Sequence, residues 1–100
     1  MESVLSTAVS GLQVSQLRLS AAANNVANAQ TNDFRRDLVR QQAQPDGGGV
    51  TARVEKALRP GADLVQDMVD QKAATYAFKA NVQVVKTADD MLGRLLDVRA

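Results

Sequence analysis

Two long helix-forming stretches stand at opposite ends of this 100-residue chain, over about Val4–Asn28 and about Asp63–Val98, and little remains from which to build a core around them. The C-terminal stretch sets the tighter constraint. Lys72, Lys79, Gln83, Lys86, Asp90 and Arg94 are spaced by three, four or seven residues, so they share one line of a helix. Leu64, Met68, Phe78, Val82, Val85, Leu92 and Leu96 then project to one flank of that line. Val65, Val69, Ala73, Ala77, Ala80, Val84, Ala88, Met91 and Leu95 project to the other. A surface helix ordinarily needs an apolar arc of about 100° or somewhat more. This one has two flanks to cover, and a single partner helix covers one.

Material for the second flank is scarce. The aromatic residues are Phe34, Tyr76 and Phe78, tryptophan is absent, and much of the apolar content is alanine. Alanines suit close helix approach, but each contributes less than the roughly 1.5–3 kcal/mol of a buried large side chain. An isolated copy is expected to be marginally stable, which makes assembly the leading functional reading.

The N-terminal stretch is amphipathic. Val4, Leu5, Ala8, Val9, Leu12, Leu19, Ala22, Ala23 and Val26 recur at helical spacing, opposite Ser3, Ser6, Ser10, Gln13, Ser20 and Asn24. Asn24, Asn25 and Asn28, then Thr31-Asn32-Asp33, mark its end, because these residues compete for backbone hydrogen bonds and tolerate left-handed geometry. Between the helices, Asp37–Arg40 and Val50–Val54 flank the turn-forming run Pro45-Asp46-Gly47-Gly48-Gly49. That pattern permits a small β-hairpin or an irregular linker, since a lone two-stranded hairpin is marginal in water. Asp63, with Gln66 three residues on, is placed to cap the second helix. The expected fold is mainly α: an antiparallel, coiled-coil-like helix pair joined by a short β-hairpin or irregular segment. Its parts are 1–33, 34–60 and 61–100, forming one structural unit.

Composition removes whole classes of function. Without cysteine there is no disulfide frame or thiolate metal site, and without histidine the commonest zinc ligand and general base is missing. The acidic pairs Asp67/Asp70 and Asp89/Asp90 remain; the first falls in the opening turns of a helix, where the macrodipole favours negative charge. No glycine-rich phosphate loop follows a strand. The expectation is a protein that is not an enzyme and takes no cofactor. The run after Met1-Glu2 gives no secretory leader, and no stretch approaches 18 apolar residues, so neither a cleaved signal nor a membrane span is expected.

Net charge is only +1, yet Arg35, Arg36, Arg40, Arg53, Lys56 and Arg59 gather between Phe34 and Pro60 against Asp37, Asp46 and Glu55. A solvated hairpin accounts for this surplus without a ligand. An anionic polymer is the other reading, but stacking aromatics are lacking, and no nucleic acid partner is expected.

Two motifs carry a resemblance. The run from Ser10-Gly11-Leu12 through Arg18-Leu19, Ala23-Asn24-Asn25-Val26-Ala27-Asn28 and Thr31 to Phe34-Arg35-Arg36 closely resembles the N-terminal signature of bacterial flagellar rod and hook proteins. Asp33 stands where that signature has glycine, at a turn calling for positive φ. Gly61–Asp70, Ala77-Phe78-Lys79-Ala80-Asn81-Val82 and Thr87–Leu96 are similar to the C-terminal signature, with Thr75-Tyr76-Ala77-Phe78 replacing the usual Gln-Arg-Ala-Tyr. Gly48–Ala52 looks like the family's strand entering the second half.

This resemblance implies a structural subunit of the flagellar basal-body rod, closest to a minimal proximal-rod member. Such subunits place their terminal helices side by side and stack into a hollow axial tube crossing the periplasm. They leave the cell through the flagellar type III export apparatus without a cleaved signal peptide. The implied partners are copies of the chain, other rod and hook proteins, and that apparatus. A soluble helical-hairpin adaptor or chaperone of the export system is the alternative. Leu12, Leu19, Val26, Met68, Val82, Met91, Leu92 and Leu95 are the candidates for packing, either within the helix pair or between subunits. Gln16, Phe34 and Phe78 join them from the matching motifs. Asn24, Asn25 and Asn81 are candidates for setting register through buried carboxamides, whereas helix-end capping accounts for Asn28.

Overall fold

The computed structural model describes residues 2–99, with side chains for 4–45 and 47–97. Helix α1 (Glu2–Ala27) leads through a turn into strand β1 (Asp37–Ala43). A single 3-10 turn (Pro45–Gly47) connects β1 to strand β2 (Val50–Lys56), and helix α2 (Leu64–Arg99) completes the chain. The molecule is long and thin, 63 × 25 × 13 Å, with a radius of gyration of 17.4 Å against about 13 Å for a compact chain of this length.

Both helix boundaries have local causes. At the end of α1 the Asn28 carboxamide donates to the Asn24 carbonyl at 2.9 Å, and the Thr31 hydroxyl donates to Asn28 Oδ1 at 3.1 Å, so the last turn closes on its own side chains. Asp33 follows with φ +60°, the positive φ that its place in the motif demands, at a cost of about 1–2 kcal/mol relative to glycine. At the start of α2, Asp63 Oδ1 accepts from the Gln66 amide at 3.2 Å, as an N-cap should. The reciprocal half of the capping box is not made: the Gln66 carboxamide turns forward and donates to Asp70 at 2.9 Å.

The connecting segment is a paired hairpin, not an irregular linker. Its antiparallel register runs from Asp37 opposite Lys56 to Ala43 opposite Val50. It escapes the marginal stability of an isolated hairpin by lying along α1. Ser10 Oγ accepts from the Val50 amide at 3.0 Å, Arg18 donates to Gln41, and Asn24 donates to the Asp37 carboxylate at 2.8 Å. Ser10 and Asn24, read from the sequence as solvent-side positions, are therefore docking positions. Gly49 allows this approach: its φ is +89°, and a Cβ there would stand 2.3 Å from Ser10 Oγ.

The helices run antiparallel, with Gly11 beside Asn81 near one end and Asn25 beside Asp67 near the other. A Cβ on Gly11 would lie 2.7 Å from the Asn81 carboxamide, so that side chain occupies the space the glycine leaves open. The polar line on α2, from Lys72 to Arg94, is exposed throughout.

Candidate assembly surface

The seam between the helices is made mostly of small and polar side chains, with Phe78 and Val85 as its larger apolar members. On α1 the inward positions Ala8, Gly11, Ser15, Arg18, Ala22 and Asn25 alternate in steps of three and four, with Val14 and Ala21 buried beside them. On α2 the facing series is Asp67, Gln71, Ala74, Phe78, Asn81, Val85 and Ala88, again in threes and fours, the spacing of a coiled-coil seam. Hydrophobic periodicity put Ala8 and Ala22 on one apolar face of α1 together with its larger residues, and these two alanines are buried. The larger residues instead form a second line, Leu5, Val9, Leu12, Gln16, Leu19, Ala23 and Val26, rotated away from α2 and only half-buried or exposed.

At the turn end the seam closes on a buried ion pair. Asp67 is 1% exposed, and the Arg36 guanidinium, arriving from the start of the hairpin, grips its carboxylate through Nε and a terminal nitrogen, with both Nε contacts at 3.2 Å. This contact and the Asp67 charge hold the Arg36 pKa above its ordinary value, although burial opposes them. Asn25, 3% exposed, ties three elements together. Its Nδ2 donates to Asp67 Oδ1 at 3.3 Å and to the Asp37 carbonyl at 2.9 Å, while its Oδ1 accepts from the Asp37 amide at 2.7 Å. The carboxamide thus completes both outward backbone groups of Asp37 as a neighbouring strand would. The Asp37 carboxylate meets Lys56 at 2.5 Å, and that contact, helped by Asn24 and opposed by burial, lowers its pKa.

Phe34 sits half-buried where the chain leaves α1, with the Lys56 ammonium 4.9 Å from its ring centroid and its carbonyl accepting from the Gly61 amide at 3.2 Å. Four of the six basic side chains between Phe34 and Pro60 make ion pairs within the chain. Arg36 pairs with Asp67, Lys56 with Asp37, and Arg40 and Arg53 with Glu55.

The other end is open. The register fixed by Asn25/Asp67 and Gly11/Asn81 brings the first residue of α1 level with roughly Asp90, so α2 runs on alone for about 14 Å at 1.5 Å per residue. Met91, Leu92, Leu95 and Leu96 are all exposed on that overhang. Leu92 and Leu95 are the next two positions of the seam's own repeat after Ala88, with nothing from α1 across from them.

The residues singled out by sequence therefore divide. Asn25, Phe78, Asn81 and Val82 face the helix pair as buried or half-buried groups, Asn81 bonding its own helix at the Ala77 carbonyl, 3.0 Å away. Leu12 and Val26 are half-buried beside it, and Asn24 and Asn28 serve the hairpin and the helix end. Gln16, Leu19, Met68, Met91, Leu92 and Leu95 are exposed. Sequence reasoning passed over Arg36, Asp37 and Asp67. The signal available was that Asp67 shares the spacing of Ala74, Asn81 and Ala88, a buried line on which a carboxylate requires a partner. Among the described residues no acidic cluster is arranged to hold a metal ion, and no helix is long and apolar enough to cross a membrane.

Comparison with known proteins adds two matches in the same order as the helices. The family model of the flagella basal body rod protein matches residues 5–35, spanning most of α1 and the turn to Arg35. The model of the C-terminal part of the flagellar basal body rod FlgEFG proteins matches residues 58–98, spanning α2 and its lead-in. No curated protein matches the chain.

Proposed function

Given that the chain belongs to the flagellar basal body rod family, whose members are structural parts of the basal body, we propose that it polymerises through the outward faces of α1 and α2 into the wall of a hollow axial shaft. Its neighbours there are copies of itself or other rod and hook proteins. The shaft crosses the periplasm, and its subunits arrive through the flagellar export apparatus.

The observation that carries this reading is how much large apolar surface the helix pair leaves outside, while small and polar residues make up most of its seam. Val65 is 75% exposed and Leu95 58% on α2, and Val4 47% and Val9 44% on α1, values that water tolerates singly but that recur here along both helices. The accessible surface measures 7309 Å², whereas a compact monomer of this mass exposes about 5,500 Å². The excess is comparable to the area buried in a standard protein interface.

Sedimentation across a concentration series tests the proposal. A shaft subunit should pass from monomer to a broad series of open polymers, and Met91→Asp should suppress that growth while helix content by circular dichroism is unchanged. Arrest at a closed dimer would favour the export adaptor instead. Loss of helix content with assembly of the folded fraction untouched would show Met91 to be an internal residue.

A further inference from the structure

Resting on the assembly reading above, we propose the particular contact that extends the polymer along its length: the overhang of α2 in one copy packs, in parallel, against the first turns of α2 in the next. Leu92 and Leu95 on the overhang meet Val65 and Val69 of the second copy.

Four observations converge on this pairing. The overhang continues an interface that already exists, because Leu92 and Leu95 extend the repeat running from Asp67 to Ala88, and what they lack is a helix in the place that α1 occupies lower down. The turn pole supplies a matching surface. Val65 and Val69 are exposed there on the side of α2 turned away from α1, with Met68 and Tyr76 exposed nearby. A second copy set in line with α1, beyond its N-terminus, presents that side to the overhang.

The two patches also lie at opposite poles of a molecule 63 Å long, so one copy cannot join them within itself. A contact between unlike patches is heterologous, and repetition generates an open chain instead of a closed pair. Electrostatics point the same way. The contact sets the negative C-terminal end of one α2 beside the positive N-terminal end of another, whereas overhang against overhang would bring two negative ends together.

The chain has no cysteine, which makes the test direct. Leu95→Cys and Val65→Cys are prepared as separate full-length chains and as a double variant, then oxidised after concentration. The expected result is cross-linked dimer from the mixture of the two single variants, little from either alone, and a ladder of dimer, trimer and tetramer from the double variant. Leu92→Asp in the double-variant background should weaken association at least about tenfold and erase the ladder. Efficient dimerisation of Leu95→Cys alone would overturn the proposal in favour of a symmetric contact. Polymers of the unmodified chain without cross-linking in the mixture would overturn this contact while leaving assembly intact. A chain that stays monomeric throughout, or pairs its overhang only with another rod protein, would overturn self-stacking, and in the first case the assembly reading with it.

Discussion

The two ends of the helix pair are built from opposite chemistry. At the turn end, Asp67, Arg36, Asn25 and Asp37 are tied into one network that spans α1, the hairpin and α2, and each polar group has a named partner. At the free end, α2 carries Met91, Leu92, Leu95 and Leu96 past its partner into solvent. Polar groups that must be satisfied in one geometry specify an arrangement, and large apolar groups adhere with far less regard to direction. The contrast teaches that the polar contacts specifying the fold are concentrated at one pole, whereas the exposed apolar side chains at the other have no such network beside them.

The sharpest way to break that comparison is Arg36→Ala. It leaves the Asp67 carboxylate buried with Asn25 as its remaining partner, and loss of one member of a buried pair costs about 3–5 kcal/mol. Urea denaturation followed by circular dichroism should show most or all of the folded population lost. A change under about 1 kcal/mol would mean that water reaches Asp67 and that the turn end is not specified by this network.

Gly11→Ala tests the close approach between the poles. With a methyl group 2.7 Å from the Asn81 side chain, either the carboxamide moves or the helices separate, for a loss of about 1–3 kcal/mol. Combining it with Asn81→Ala should restore most of that loss if the carboxamide is what the methyl meets.

A smaller effect belongs to Asp37. Its lowered pKa gives stability that is fully present above the unfolded carboxylate value of about 3.9 and is lost as pH falls through the lower folded value. Stability measured from pH 5 downward should therefore decline, and Lys56→Met should flatten the part of the decline below about pH 4. Arg36 adds no slope in that range, since its raised pKa keeps it charged throughout. Least of all, Leu92→Ser should change monomer stability by no more than about 0.5 kcal/mol, because the side chain lies exposed on the overhang beyond the helix pair. A larger loss would show that the free end is folded against something within the chain.

Much of the architecture was legible in the sequence because its determinants are local. Helical spacing, the Asp63 cap, the asparagines closing α1 and the Pro45–Gly49 turn each act within a few residues. The interior of the helix pair was not legible, since apolar periodicity marks the line of Leu5, Leu12, Leu19 and Val26 more strongly than the line of Ala8, Ser15, Ala22 and Asn25 that is buried. Which line goes inside depends on long-range neighbours, such as Asn81 against Gly11 and Asp67 against Asn25, that local spacing does not show. The ion pair was hidden for a related reason. Arg36 and Asp67 meet only after the hairpin has docked on α1 and α2 has folded back, two long-range events with no trace in local spacing.

The Arg36–Asp67 pair, combined with the grip of Asn25 on Asp37, has a mechanical consequence. In a helix pair zipped by leucines alone, one strut can slip past the other by a full turn and find nearly equivalent greasy contacts. Here a slip of one turn of α2 strands the Asp67 carboxylate and the Arg36 guanidinium at once and breaks the Asn25–Asp67 bond, so shear along the long axis meets a discrete barrier. A body 63 Å long and 13 Å thin that resists sliding within itself hands a twist applied at one tip on to the other.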